Sequence, residues 1–225
     1  MRPPKSLLLF LAGLLFVSAS AAPAAPRADQ IKRPTSQPYR GDLSIFEDAQ
    51  RDQKLQIQRV LDLLGIKAGS AVADIGAGSG WFTVRSARRV GASGRVYAVD
   101  INRAYLKHIQ QRAKKESLPM IQTVLGKADD PRLDPQSVDA VLLLKTYHEV
   151  AQPVALLHKV RTAMRPGARL GIIDRKGKGD DHGLDAAVVT QEAKRAGFKL
   201  TSQHDFVKGD DVDYFLIFQA GRTTP

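Results

Sequence analysis

The sequence predicts an α/β protein with a doubly wound, mostly parallel seven-stranded sheet, helices on both faces and an antiparallel closing strand. Two observations predict it. From residue 71 onward, short runs rich in Val, Ile and Leu alternate with segments of helical spacing, the pattern of parallel strands covered on both sides. The last two runs, residues 199–207 and 213–218, follow each other without a helix between them and read as a closing pair. With 225 residues and 43% hydrophobic composition, the chain can bury one full core, and its length favours one domain or at most two.

The elements follow in order. Residues 47–64 carry Leu55, Ile57, Val60, Leu61 and Leu64 at mainly helical spacing and stop at Gly65, so one helix is expected there. AVADI, residues 71–75, is the first core strand, and residues 81–90 read as a helix. RVYAVDI, residues 95–101, is the second strand, followed by a helix over 105–116 and strands at 121–125 and 138–144. A helix over 154–164 is closed by Arg165-Pro166-Gly167. ARLGIID, residues 168–174, is the fifth strand, and 184–196 a further helix.

The first 42 residues differ from the rest. Arg2 and Lys5 precede the apolar run LLLFLAGLLFV and then SASAAPAAP, the basic, apolar, small order of a secretory signal. Residues 1–21 are therefore expected to be a signal peptide cleaved after Ala21, which sends the protein to the periplasm or outside the cell. The run is short for a bilayer span; an uncleaved membrane anchor is the alternative. Residues 22–42, rich in Ala, Pro and polar residues, are expected to form a flexible lead-in, and folded matter to begin near Leu43.

There is no cysteine, which excludes disulfide-linked partners, thiolate metal sites and a cysteine nucleophile. The formal charge is +11, or +9 once Arg2 and Lys5 leave with the leader. Such a balance favours anionic surroundings, including a charged membrane surface. The cations are spread, however: Arg85, Arg88 and Arg89 on one predicted helix, Lys107, Arg112, Lys114 and Lys115 on another, Lys176 and Lys178 in a loop. A nucleic-acid groove concentrates positive charge and interleaves aromatics, so nucleic acid is not the expected partner. A metal is not expected either, since His148, His158, His182 and His204 are scattered without close ligand spacing.

The chemistry points to VADIGAGSGWF, residues 72–82. An apolar strand ends in Asp74, and Gly76, Gly78 and Gly80 then remove the side chain at every second position. Glycine lets a ligand approach the main chain. In open parallel sheets ligands lie at the carboxyl ends of the strands, where this loop falls, and the following helix offers unpaired N–H groups. A dinucleotide fingerprint is G-x-G-x-x-G. Here the third glycine comes one residue early and Trp81 takes its place, which disfavours pyrophosphate cradling.

The spacing instead resembles the glycine loop of the class I S-adenosylmethionine-dependent methyltransferases, whose fold is Rossmann-like. VYAVDI ending in Asp100 is similar to their second motif, GKADDP (126–131) to the loop after the third strand, VDAVLLLKTYHEV (138–150) to the fourth motif, and RPGARLGIID (165–174) to the segment beyond it. The likeness runs from about Phe46 to Phe218. It implies a methyltransferase domain over residues 43–225, with S-adenosyl-L-methionine as cofactor and a small-molecule or lipid-like acceptor. It also implies a cofactor site made of Asp74, Gly76, Ala77, Gly78, Gly80, Asp100, Ile101, Ala128, Asp129 and Lys145. In it Asp100 meets the ribose hydroxyls and Asp129, rather than the turn residue Asp130, meets the adenine amine. Asp74 serves either the methionine amino group or the loop itself. His148 is the expected base or substrate orienter because its ordinary pKa lies near neutrality, and Tyr147 is expected to line the same space. His182 reads either as a closing residue over the substrate or as an exposed loop residue. Lys145 stands where many family members carry a small polar residue. Two other readings accompany this one: an exported, non-catalytic binding protein on the same fold, and a nucleic-acid methyltransferase motivated by charge alone.

Overall fold

The computed structural model describes Arg33, residues 35–209 and residues 212–221; the expected signal peptide, residues 1–21, lies outside the described residues. Seven strands form one sheet: β1 (Ala71–Ile75), β2 (Arg95–Asp100), β3 (Ile121–Leu125), β4 (Val138–Leu144), β5 (Met164–Arg175), β6 (Phe198–His204) and β7 (Asp213–Ala220). Their order is β3-β2-β1-β4-β5-β7-β6. The first five strands pair in parallel, and β7 runs antiparallel between β5 and β6. The chain builds outward from β1 to β3, then returns to the other side of β1 with β4, so the switch point lies between β1 and β4.

Strand β4 shows why both faces are covered. Ala140, Leu142 and Leu144 pack in one cluster with Val60 and Leu61 of α2 (Ile57–Leu63) and Phe82 and Val84 of α3 (Trp81–Val90). Val141 and Leu143 pack on the opposite side with Leu157 and Val160 of α5 (Pro153–Ala163) and Val189 of α6 (Ala186–Arg195). Alternate residues of one strand thus feed two cores, the period of two that a strand imposes. α4 (Arg103–Lys115) seats Ile109 against Ala98 of β2. Its start is set by Asn102, whose side chain accepts from the Ala104 amide at 2.9 Å, and Asp185 caps α6 in the same way.

Four local expectations change. The helix expected over 47–64 is broken into a 3-10 turn (Leu43–Phe46), α1 (Arg51–Lys54) and α2. Leu55 and Ile57 are both buried, yet on a continuous helix they would point about 200° apart. A left-handed turn at Gln56, φ 47°, lets both reach the core. The Arg165-Pro166-Gly167 triplet, expected to precede the fifth strand, lies inside β5. Val138 pairs with Met164 but Ala140 with Arg169, so the triplet bulges out, and a bulge tolerates proline within a strand. β6 ends at His204 rather than 207.

The fourth change concerns the lead-in. Arg33 binds Glu192 at 3.0 Å and donates to the Tyr147 and His148 carbonyls. Ser36 is buried and donates to the Gly179 carbonyl. The Tyr39 amide donates to Glu149, and the Tyr105 hydroxyl to the Tyr39 carbonyl. The described part of the stretch expected to be flexible is therefore laid across the strand ends, held by side-chain bonds that composition does not reveal. No helix among the described residues is long and apolar enough to cross a membrane.

Candidate functional site

At the carboxyl ends of β1, β2 and β4 lies a cavity of about 640 Å³, a size that holds a ligand of cofactor dimensions. The glycine loop forms one wall. Gly76 and Ala77 both donate their amides to the Val99 carbonyl, at 2.9 and 3.1 Å, which ties the loop to β2. Gly76 has φ +74°, and a Cβ there would collide with the side chain of Thr146. Gly78 has φ +53°, and nothing lies within 4 Å of the place its Cβ would take. Its backbone lines the cavity. Gly80, expected in the cofactor site, does not line the cavity; at φ 77° it is the left-handed cap from which α3 starts, and a Cβ there would press on Ile109.

Asp100 ends β2 at the cavity wall and is 8% exposed. Its Oδ2 accepts from the Gly78 amide at 2.9 Å and its Oδ1 from the Asn102 amide at 2.8 Å. Burial pushes its carboxyl above the ordinary value, and these N–H groups pull it back. Ile101, next in sequence, is 51% exposed and lines the same wall, an apolar face left open for a flat ring.

Asp74 is buried, lines the cavity and accepts from the Thr83 hydroxyl at 2.6 Å. Burial pushes its carboxyl up to about 7, against the pull of the Thr83 bond and with help from the Asp100 charge. Arg51, which sequence reasoning missed, lines the same cavity. Its guanidinium lies 4.5 Å from the Trp81 ring centre, and Arg85 covers the ring at 3.9 Å. Burial lowers Arg51 to about 10, still charged at neutral pH. The broken α1–α2 segment is what puts Arg51 there; an uninterrupted helix over 47–64 gave no sign of it.

The other expected residues divide. Ala128 and Lys145 line the cavity. Lys145, at φ 54°, forms an ion pair with Asp213, so its charge is directed to the start of β7. Asp129 does not line the cavity; the wall there is Gly126, Lys127, Ala128 and Pro131. Asp129 is therefore not placed in the wall for the adenine contact expected of it, while Asp130 is the turn residue, accepting from the Arg132 amide at 2.7 Å.

Tyr147 is fully buried in the core, with its hydroxyl donating to Glu192 at 2.9 Å. Burial and the Glu192 charge hold its hydroxyl well above the usual range. It sits outside the cavity wall, because the 3-10 turn at Tyr147–Glu149 points it inward. His148, 4% exposed, also lies off the wall, bound through Nδ1 to Asp174 at 2.8 Å. From this segment the cavity receives Thr146, Glu149 and Val150, and burial pushes the Glu149 carboxyl up to about 6. His182 is exposed and stands edge-on to His148, ring centres 5.9 Å apart. The histidines that sequence spacing left scattered are thus in part gathered.

Among the described residues, the Ser79 hydroxyl and the Trp81 indole N–H are buried without a hydrogen-bond partner, and both residues line the cavity. A diol beside Asp100, a ring on Ile101 and an amino-acid end between Asp74 and Arg51 fit the chemistry of S-adenosylmethionine.

Comparison with known proteins agrees. Residues 72–167 match the family model described as a methyltransferase domain. The 2-phytyl-1,4-naphtoquinone methyltransferase of Trichormus variabilis is 32% identical over 111 residues, 49% of this chain and 48% of that protein. The ubiquinone/menaquinone biosynthesis C-methyltransferase UbiE of Idiomarina loihiensis is 28% identical over 115 residues, 51% of this chain and 46% of that protein. The chain spans about half the length of these curated relatives. In fold it is similar to a SAM-dependent methyltransferase from Aquifex aeolicus, with TM-score 0.71 and 23% identity over 80% of this chain and 98% of that one. It also matches the [4+2]-cyclase SpnF, with TM-score 0.65 and 13% identity over 83% of this chain and 87% of that one.

Proposed function

We propose that this chain, a class I S-adenosylmethionine-dependent methyltransferase by domain and fold, transfers the cofactor's methyl group to a small, apolar acceptor of quinone-like character. The observation that carries the reading is the joined corner of Gly78 and Asp100, bonded at 2.9 Å, with the open face of Ile101 beside it. The bound cofactor supplies an activated methyl on a sulfonium, so the protein's share is alignment and electrostatics. Asp100 takes the ribose hydroxyls with its remaining lone pairs, Ile101 and the Ala128 backbone hold the adenine, and Gly78 lets the main chain come close. Arg51 takes the carboxylate and Asp74 the amino group.

The acceptor's character follows from the rest of the wall, where Phe46, Phe82, Leu144, Val150 and Leu156 are apolar. The names of the two quinone-methyltransferase relatives support the same class. The lead-in residues 35–40 cover this region and would exclude water from it. The basic helices favour the solvated-face reading over nucleic acid, because Arg85, Arg88, Arg89 and Arg112 are already paired with Asp52, Glu116, Asp62 and Glu47.

Titration with S-adenosylmethionine, and with NAD as control, followed by transfer of labelled methyl to a panel of quinones and to periplasmic extract, tests the proposal. Saturable sulfonium binding and label on an apolar acceptor are expected. Failure to bind the cofactor defeats it. Binding with no labelled product favours the exported binding-protein reading, and label on RNA alone favours the nucleic-acid reading. Export itself is a proposal resting on residues 1–21, and a mature N-terminus at Ala22 in the periplasmic fraction is the expected result.

A further inference from the structure

We propose that His148, Glu149 and His182 form a binding site for a divalent cation of the zinc class against the wall of the cavity. The two histidines come from different loops, one after β4 and one after β5. With Glu149 they place three ligand atoms within 4.8 Å of one another. Ligand atoms at about 2.0–2.2 Å from a common ion stand no more than roughly 4 Å apart. The cluster therefore closes on an ion with a small movement, and exposed His182 is the piece free to make it.

The state of His148 carries the argument. Its Nδ1 lies 2.8 Å from Oδ1 of Asp174, and its backbone amide donates to Oδ2 of the same carboxylate at 3.0 Å. Asp174, one residue before the end of β5, is fully buried and also accepts from the Arg175 amide, so it is held as an acceptor. A proton on Nδ1 satisfies it, which leaves the Nε2 lone pair free for coordination. A buried carboxylate behind a histidine is the arrangement that orients metal-binding imidazoles. Among the described residues Nε2 has no hydrogen bond; the Glu149 carboxylate lies 3.9 Å from it, too far for one. His182 is held beside it by its own amide, which donates to the buried Ser36 hydroxyl at 2.8 Å.

The donor set decides the ion. Two imidazoles and one carboxylate suit zinc and its neighbours in the transition series and leave coordination positions open, whereas magnesium and calcium favour all-oxygen ligands. Since Glu149 lines the cavity, the ion would lie within reach of an oxygen donor on a molecule bound there. The site stands apart from the methyl-transfer reading, because it needs no cofactor to form.

Untagged full-length protein, stripped with a chelator and dialysed, is titrated with zinc chloride in the absence of S-adenosylmethionine. One saturating equivalent with micromolar or tighter affinity is expected, with no competition from magnesium. His182 is exposed, so His182→Ala leaves the core intact and should weaken zinc by about tenfold or more. Asp174→Asn, acting through His148, should weaken it by about 10–100-fold. Absence of saturable zinc binding, or equal affinity in folded His182→Ala, overturns the proposal. Cofactor titration of the same samples reads the methyl-transfer proposal independently.

Discussion

The Gly78 amide donates a 2.9 Å hydrogen bond to Oδ2 of Asp100, so the glycine loop after β1 and the acid ending β2 are one unit. The carboxylate shapes the loop before any ligand arrives. Asp100→Ala therefore removes both a ribose acceptor and a support of the loop. Cofactor affinity should fall by about 1.5–3 kcal/mol, from loss of hydrogen bonds to a charged group. Calorimetry checks it, and unchanged affinity in a folded variant counts against the ribose assignment.

The glycines are not equivalent. Gly76→Ala would strain a φ of +74° and strike Thr146. Backbone conformation and overpacking together predict a loss of about 2–4 kcal/mol in stability. Adding Thr146→Ala should recover part of it. Gly78→Ala meets nothing within 4 Å, so its stability loss should be smaller and its main effect a weaker cofactor. Urea unfolding and ligand titration of the three variants would show whether this order is reversed.

Arg33 anchors the lead-in through Glu192, the two side chains 12% and 10% exposed. Arg33→Ala leaves a buried carboxylate uncompensated and should cost about 2–4 kcal/mol. Arg33→Ala with Glu192→Gln should be more stable than Arg33→Ala alone, because the amide carries no charge to leave unpaired. Equal stability of the single and double variants in denaturant would contradict a charge-based anchor.

Asp74 sets a pH dependence. Its folded value of about 7 lies above the ordinary 3.8, so the native protein keeps a proton that the unfolded chain loses. The stability this adds is fully present below about 4 and disappears as pH rises towards 7. At about 1.4 kcal/mol for each pH unit between the two values, the ceiling is about 4 kcal/mol. Asp74→Asn should flatten the fall in stability across this window. An unchanged slope in unfolding free energy between pH 4.5 and 7 would refute it.

The alternation of apolar runs and helical segments made the sheet legible in the sequence, and the α3 boundaries were read as they stand. Gly76, Gly78 and Asp100 were also legible at the cavity wall, because glycines in a strand-end loop and an acid closing an apolar strand are local signals, whereas Gly80 follows the same spacing but serves the start of α3 and its packing on Ile109. Asp174, next to last in β5, carries a similar signal and was passed over. Tyr147 and His148 were misplaced for a different reason. Sequence position puts them beside the cavity, but the 3-10 turn at Tyr147–Glu149 decides which of three adjacent side chains enters it, and Glu149 is the one that does.

By itself the sequence determined the order of strands and helices, the glycine loop and the acid that meets it, because these depend on period, conformation and residue type within one segment. Only the tertiary structure decided that Arg51 reaches the cavity, that residues from Thr35 cover it, and that His182 stands beside His148. Those juxtapositions join segments far apart in the chain. They depend on how the Gln56 break and the loops after β4 and β5 pack, and no local pattern encodes such packing.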